Sequence, residues 1–197
     1  MRKVLALMGS PRKKKNTDEL LEYLLEGIRK KDYSIDKIYL ADKQIYPCSG
    51  CDYCGKVEGC VSKDDMNTIY DGFDNSDIII VAAPIYFNSV NGLTKNLIDR
   101  CQKYWSLKYS LGKEYRRTED RIGIFLATGG APFQHDQFNG SIPVMDYFFK
   151  SINARYKGNY FVSNTDEEPV NKRLDVKEEL IEIGNNIWNI RDFYLHR

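Results

Sequence analysis

The 197-residue chain has almost no net charge, only two histidines, and no apolar run long enough to cross a bilayer. Each shortage removes a class of function. The 29 basic residues stand against 28 acidic ones, a formal charge of +1. A dedicated nucleic-acid binder carries a basic surplus or stripe, so no nucleic-acid partner is expected. The longest apolar stretch, Ile78 to Phe87, is broken by Pro84. It falls short of the roughly 20 residues that a spanning helix needs, so no membrane partner is expected either. His135 and His196 are too isolated to suggest a metal site. The fingerprints GxxxxGK(S/T) and GxGxxG are both missing, which argues against a nucleoside triphosphate and against a resident dinucleotide. No internal repeat and no low-complexity linker interrupts the chain.

What is present is the composition of an ordinary globule, 42% apolar and 29% charged, with enough residues for one sizeable core. A single domain over 1–197 is expected. The first eight residues run into a strand-like segment and a glycine turn, with no secretory pattern. Five cysteines without such a pattern point to a reducing compartment, where clustered thiols serve metal or redox chemistry. The expected location is therefore cytoplasmic.

Hydrophobic periodicity predicts strands at Lys3–Met8, Tyr33–Leu40, Asp77–Ala82, Arg121–Ala127 and Tyr156–Val162. Between them, Leu20, Leu21, Leu24, Leu25 and Ile28 fall at helical spacing. Asp64 is placed to cap a short helix through Ile69 and Phe73, and Leu93, Leu97 and Ile98 mark another. Val144–Ile152 and Leu174–Phe193 read as two more helices. Asp77–Ala82 is apolar on both faces, as a central parallel strand is. Residues 41–63 form a polar loop of unusual length, cysteine-rich over 46–63. Strands alternating with helices imply an α/β fold, a doubly wound five-stranded parallel sheet of order 2-1-3-4-5 with helices on both faces. In such a sheet the ligand lies outside the carboxyl ends of the strands, so the loops after strands 1, 3 and 4 should line the site.

The first loop runs Gly9-Ser10-Pro11-Arg12 to Asn16-Thr17. A helix amino terminus offers unpaired N–H groups and partial positive charge to an anion. Ser10, Asn16 and Thr17 add short polar side chains, and Arg12 a guanidinium fork for phosphate oxygens. The plainer alternative is a helix cap at Asn16 or Thr17 followed by surface lysines.

GSPR and NT after strand 1, PIYFNSVNG after strand 3 and ATGG after strand 4 together resemble the flavodoxin-like NAD(P)H-dependent FMN reductase family, over roughly residues 1–130. The resemblance implies a flavodoxin-like fold and FMN as cofactor, its phosphate held by Ser10, Arg12, Asn16 and Thr17. Lys15 stands where relatives commonly have glycine; a positive φ there would carry a strain cost.

Pro84-Ile85-Tyr86-Phe87-Asn88 follows the buried third strand. Tyr86 and Phe87 can supply flat apolar surface for a flavin ring, and Asn88 can meet its polar edge or ribityl chain. Packing of both aromatics into the core is the alternative. The resemblance implies that residues 84–88 lie along the flavin. Thr128, Gly129 and Gly130 close strand 4; paired glycines let a backbone approach a planar ligand, and they also simply make turns.

Cys48, Cys51, Cys54 and Cys60 give C-x2-C-x2-C-x5-C. Two-residue spacers suit a chain wrapped around a compact inorganic core, whereas structural zinc sites bring two separated CxxC pairs. The string resembles that of the iron–sulfur flavoproteins, a branch of the same fold, and the likeness implies a [4Fe-4S] cluster. Reduced thiols or another metal are the alternatives. Cys101, late in a helix, reads as a core residue. Tyr104, Trp105, Tyr109 and Tyr115 lie in a basic stretch that could stack on single-stranded nucleic acid. A lid or subunit contact beside the flavin fits better, since relatives are usually dimers or tetramers.

The expected function is that of an FMN-dependent oxidoreductase or electron-transfer flavoprotein. NAD(P)H or a ferredoxin-like donor would reduce it, a small-molecule acceptor would oxidise it, and a homodimer or homotetramer would carry it. No catalytic side chain is assigned, because the flavin carries the chemistry. The alternative is a non-enzymatic flavodoxin-fold interaction module with a structural metal in the cysteine loop.

Overall fold

The computed structural model describes residues 1–116 and 121–197. The elements run β1 (Arg2–Met8), α1 (Asn16–Ile28), β2 (Tyr33–Tyr39), α2 (Met66–Asn75), β3 (Ile78–Tyr86), β4 (Ser89–Val90) and α3 (Gly92–Arg100). They continue α4 (Gln102–Tyr109), β5 (Ile122–Thr128), α5 (Ile142–Ser151), β6 (Arg155–Val162), α6 (Leu174–Asn185) and β7 (Phe193–His196). The sheet has seven strands in the order β2-β1-β3-β5-β6-β7, with β4 paired antiparallel to β3. The expected five strands are β2, β1, β3, β5 and β6, all parallel and in the order the sequence implied.

Alternation along each strand divides the core into two layers. Leu5, Leu7, Ile79, Val81, Phe125 and Phe161 face α2, α3, α4 and α5. Val4, Ala6, Met8, Ile80, Ala82, Ile124 and Leu126 face α1 and α6. In α1, Leu20, Leu21, Leu24, Leu25 and Ile28 are completely buried. At about 2 kcal/mol for each large apolar side chain, that stripe contributes on the order of 10 kcal/mol of burial free energy before conformational entropy is subtracted.

Two expectations need correction. The sheet has more than five strands, and the closing helix does not reach Phe193: α6 stops at Asn185. The chain then turns back, and Phe193–His196 pairs parallel to β6 as an edge strand. A Cβ at position 158 would run into the Phe193 ring, so Gly158 opens the space this strand needs. A four-residue strand carries too little alternation to declare itself. A further correction lies at the end of β3, which runs on to Tyr86 and folds back through Phe87-Asn88 into β4. Both turn residues have positive φ, +50° and +59°, the left-handed pair that a two-residue hairpin requires. Segment 102–109 is also helical, an element not among the expected helices. Among the described residues no helix is long and apolar enough to cross a membrane.

Candidate functional site

The carboxyl ends of β1, β3 and β5 meet at one cleft. Ser10, Arg12, Asn16, Thr17, Pro84, Ile85, Tyr86, Thr128 and Gly130 line it, together with Lys15 and Thr165. Nine of the twelve expected flavin-site residues are therefore gathered, from the first loop and from the carboxyl ends of β3 and β5. Phe87, Asn88 and Gly129 lie outside this lining: the Phe87 ring is fully exposed at the hairpin tip, and Asn88 donates a 3.4 Å hydrogen bond to the His135 carbonyl.

The first loop is held from several directions. Gly9 N–H donates to the Ala82 carbonyl at 2.7 Å, and the Asn91 amide donates to the Gly9 carbonyl at 2.8 Å. Neither Asn16 nor Thr17 caps the helix with its side chain. Asn16 instead bridges to a distant segment, donating to the Thr165 carbonyl and accepting from Val170 N–H, each at 3.1 Å. Thr17 and Thr128 share a buried 2.6 Å hydroxyl hydrogen bond that ties the first loop to the end of β5. The N–H groups of Lys15, Asn16 and Thr17 find no acceptor among the described residues, which leaves them free for an anion. Lys15 does not carry the feared strain: its φ is −124°. The left-handed residue is Lys14, at +53°.

A fourth segment, 163–170, completes the cleft and was not anticipated. Thr165 N–H donates to the Gly129 carbonyl and Asp166 N–H to the Gly130 carbonyl, both at 3.1 Å. A side chain at position 129 would collide with Gln137, and one at 130 with the Asp166 carboxylate. The paired glycines thus leave room for the Gln137 and Asp166 side chains to lie against this turn. The only local signal was the polar stretch Ser163-Asn164-Thr165-Asp166 at the carboxyl end of a predicted strand. The enclosed floor measures about 40 Å³. That suits a compact anion; a three-ring flavin needs the adjoining open surface beside half-exposed Tyr86.

The four cysteines Cys48, Cys51, Cys54 and Cys60 line a second cavity, of about 430 Å³. Cys48 and Cys51 are exposed, while Cys54 and Cys60 are partly covered. Among the described residues no group of three or more His, Cys, Asp or Glu stands arranged to hold a metal ion. The donor set and the shared cavity fit an iron–sulfur cluster, and the loop must draw its thiols together to bind one.

The neck of this loop is built around Asp64 and Arg100, both 1% exposed at the side chain. Arg100 donates to both Asp64 oxygens, at 2.5 and 3.2 Å, to the Tyr46 carbonyl at 2.9 Å and to Cys60 Sγ at 3.5 Å. Asp64 also accepts from Tyr46 N–H at 2.9 Å and Met66 N–H at 3.1 Å; the residue at the N-cap of α2 is Asp65, one position later than expected, and Asp64 bonds the first helical N–H from outside it. Burial would raise the Asp64 pKa, but the Arg100 guanidinium and these N–H groups outweigh it and hold the carboxyl below its ordinary range. Burial likewise pushes the Cys60 thiol up; the Ser62 N–H and Arg100 bring it below its usual value.

Cys101 is buried in the core, as expected. The aromatic stretch divides. Tyr104 is buried, and both Tyr104 and Tyr115 donate to Asp74 Oδ1, at 2.8 and 2.7 Å. Trp105 and Tyr109 form a more exposed pair, ring centroids 4.3 Å apart, facing α5.

The family described as NADPH-dependent FMN reductase matches residues 2–143. The chain is 42% identical over 98 residues to an iron–sulfur flavoprotein of Archaeoglobus fulgidus, covering 50% of this chain and 48% of that one. It is 34% identical over 129 residues to an iron–sulfur flavoprotein of Methanocaldococcus jannaschii, covering 65% and 62% respectively. The chain thus spans about half to two thirds of the length of these curated relatives. Among solved structures, an NAD(P)H:quinone oxidoreductase of Methanothermobacter marburgensis superposes with TM-score 0.70 at 13% identity, covering 96% of this chain and 97% of that one. An FMN-dependent NADH-azoreductase of Bacillus anthracis, in complex with FMN, gives 0.68 at 13% identity, covering 96% and 100%. At these identities the structural likeness shows the flavodoxin-like fold.

Proposed function

The chain belongs to the NADPH-dependent FMN reductase family, and from that membership we propose an FMN-dependent oxidoreductase that draws on NAD(P)H or a ferredoxin-like donor. The carrying observation is the convergence of Ser10, Arg12, Asn16, Thr17, Pro84, Ile85, Tyr86, Thr128 and Gly130 on one cleft. Ser10, Arg12, Asn16 and Thr17 would hold the cofactor's phosphate, at the free N–H groups that begin α1. Residues 84–88 would run beside the flavin, and Thr128, Gly129 and Gly130 would let the backbone close on it. Bound FMN would supply hydride acceptance and electron release in ones or twos. The protein's own part is to bind, to orient and to limit access.

Cys48, Cys51, Cys54 and Cys60 would hold a [4Fe-4S] cluster, which would supply one-electron transfer. Arg100 favours an anionic sulfur at Cys60, the form in which cysteine ligates metal. A homodimer or homotetramer, a small-molecule acceptor and a reducing, cytoplasmic location suited to the clustered thiols complete the proposal.

Anaerobic purification followed by a visible spectrum and assays for iron, zinc and sulfide tests both halves. Flavin bands with stoichiometric iron and sulfide are expected. Flavin without iron would remove the cluster and leave a simple FMN reductase. No flavin after FMN is added would sink the main proposal in favour of an interaction module.

A further inference from the structure

An acidic side chain sits where a phosphate site least welcomes one. Asp18, in the first turn of α1, is 2% exposed. It does not accept from the free N–H groups of that turn. Its Oδ2 accepts the Lys14 N–H at 2.6 Å, and Lys14 is the residue with φ +53°. A non-glycine residue in that region costs about 1–3 kcal/mol unless its surroundings fix it. Asp18 is the group that fixes it. Lys37 on β2 donates to Asp18 Oδ1 and, at 2.5 Å, to Glu22, while the Tyr39 hydroxyl lies 3.3 Å from Asp18 Oδ2. The Asp18 charge is therefore compensated within the fold, by a Lys37 that it shares with Glu22, which Arg29 also pairs.

We infer that Asp18 is a positioning residue for FMN binding: it locks Lys14 in the left-handed conformation that presents the first loop to phosphate, and Lys37 cancels the charge it brings. The inference rests on the reading of this loop as the phosphate cradle. Anchoring at Asp18 governs how well the cradle is preformed, not how the ring is seated. Its loss should therefore weaken binding of a phosphorylated flavin and leave a flavin without phosphate unaffected.

The test is titration of the flavin-stripped full chain with FMN and with riboflavin, in wild type, Asp18→Ala and Asp18→Asn, alongside thermal melts. The expected result is a loss of about tenfold in FMN affinity for Asp18→Ala, the scale set by losing a hydrogen bond to a charged group. Riboflavin affinity should stay unchanged, and Asp18→Asn, whose amide oxygen can still accept from Lys14, should recover most of the loss. Equal weakening of both flavins, or no change in either, would overturn the inference. If the wild type binds FMN no better than riboflavin, the cradle reading itself fails and takes this inference with it. Should Asp18→Ala melt out, the FMN-to-riboflavin ratio of Asp18→Asn against Lys37→Met decides. Lys37→Met leaves the carboxylate uncompensated and must reduce that ratio, while Asp18→Asn must preserve it.

Discussion

The first loop and the cysteine loop are both polar segments that follow a strand of the same sheet, yet they are held by opposite means. The first is short and cross-braced: Asn91 grips Gly9, Asp18 grips Lys14, Thr128 grips Thr17, and Asn16 reaches across to residues 165 and 170. The cysteine loop is long and fastened chiefly at its neck, by Asp64 and Arg100, with a 3.6 Å Cys54–Ser106 contact and an exposed Glu58–Lys113 pair further out, while two of its thiols stand in solvent. The cavities differ accordingly, about 40 Å³ against about 430 Å³. A site braced by the fold exists before its ligand arrives. A site made of thiols on a long loop has its last step of ordering left to the metal it binds.

The contrast is broken most severely at the neck. Asp64→Ala would leave Arg100 buried without its partner, and stability should fall by about 3–5 kcal/mol. Urea unfolding would measure this, and a change below 1 kcal/mol would mean that the pair does not hold the neck. Acid sharpens the same point. Because the folded pKa of Asp64 lies below its unfolded value, its contribution is complete above the ordinary carboxylate range. It should fade as pH falls through that range, about pH 4, to the folded pKa. An Asp64→Asn variant should lack this acid-dependent part when its stability is compared with wild type across pH.

A smaller effect is expected in the braced loop. Gly9→Ala would drive a Cβ into Thr94 Oγ1, an overpacking that costs about 1–3 kcal/mol. FMN affinity should drop while the metal content of the cysteine loop stays at the wild-type level. Loss of both together would show that the two sites are coupled. The smallest change belongs to Lys95→Ala, which removes an exposed 2.6 Å pair with Asp99 and should alter stability by no more than about 0.5 kcal/mol.

Much of the cleft was legible because its residues sit at the ends of predicted strands, where a doubly wound sheet places its ligand. Thr165 escaped notice because no local pattern links residue 16 to residues 165–170; the Asn16 amide finds that partner only after β6 has docked beside β5. Phe87 was legible as an aromatic near the site, but not as the exposed tip of a hairpin, since phenylalanine rarely accepts a left-handed turn. The four cysteines were legible from their spacing, while the arginine that donates to Cys60 lies 40 residues further along the chain.

The sequence by itself determined the alternation that gives the sheet two buried faces, the helical stripes that cover them, the polar residues at the strand ends and the set of four thiols. These follow from periods and spacings written into neighbouring residues. Only the tertiary structure decided that the tail returns as an edge strand, that Asp64 pairs with Arg100, and that a fourth segment completes the cleft. Each of those depends on which distant surfaces come to lie together, and a side chain's partner across such a distance is chosen by packing and desolvation of the whole chain, not by the residues on either side of it.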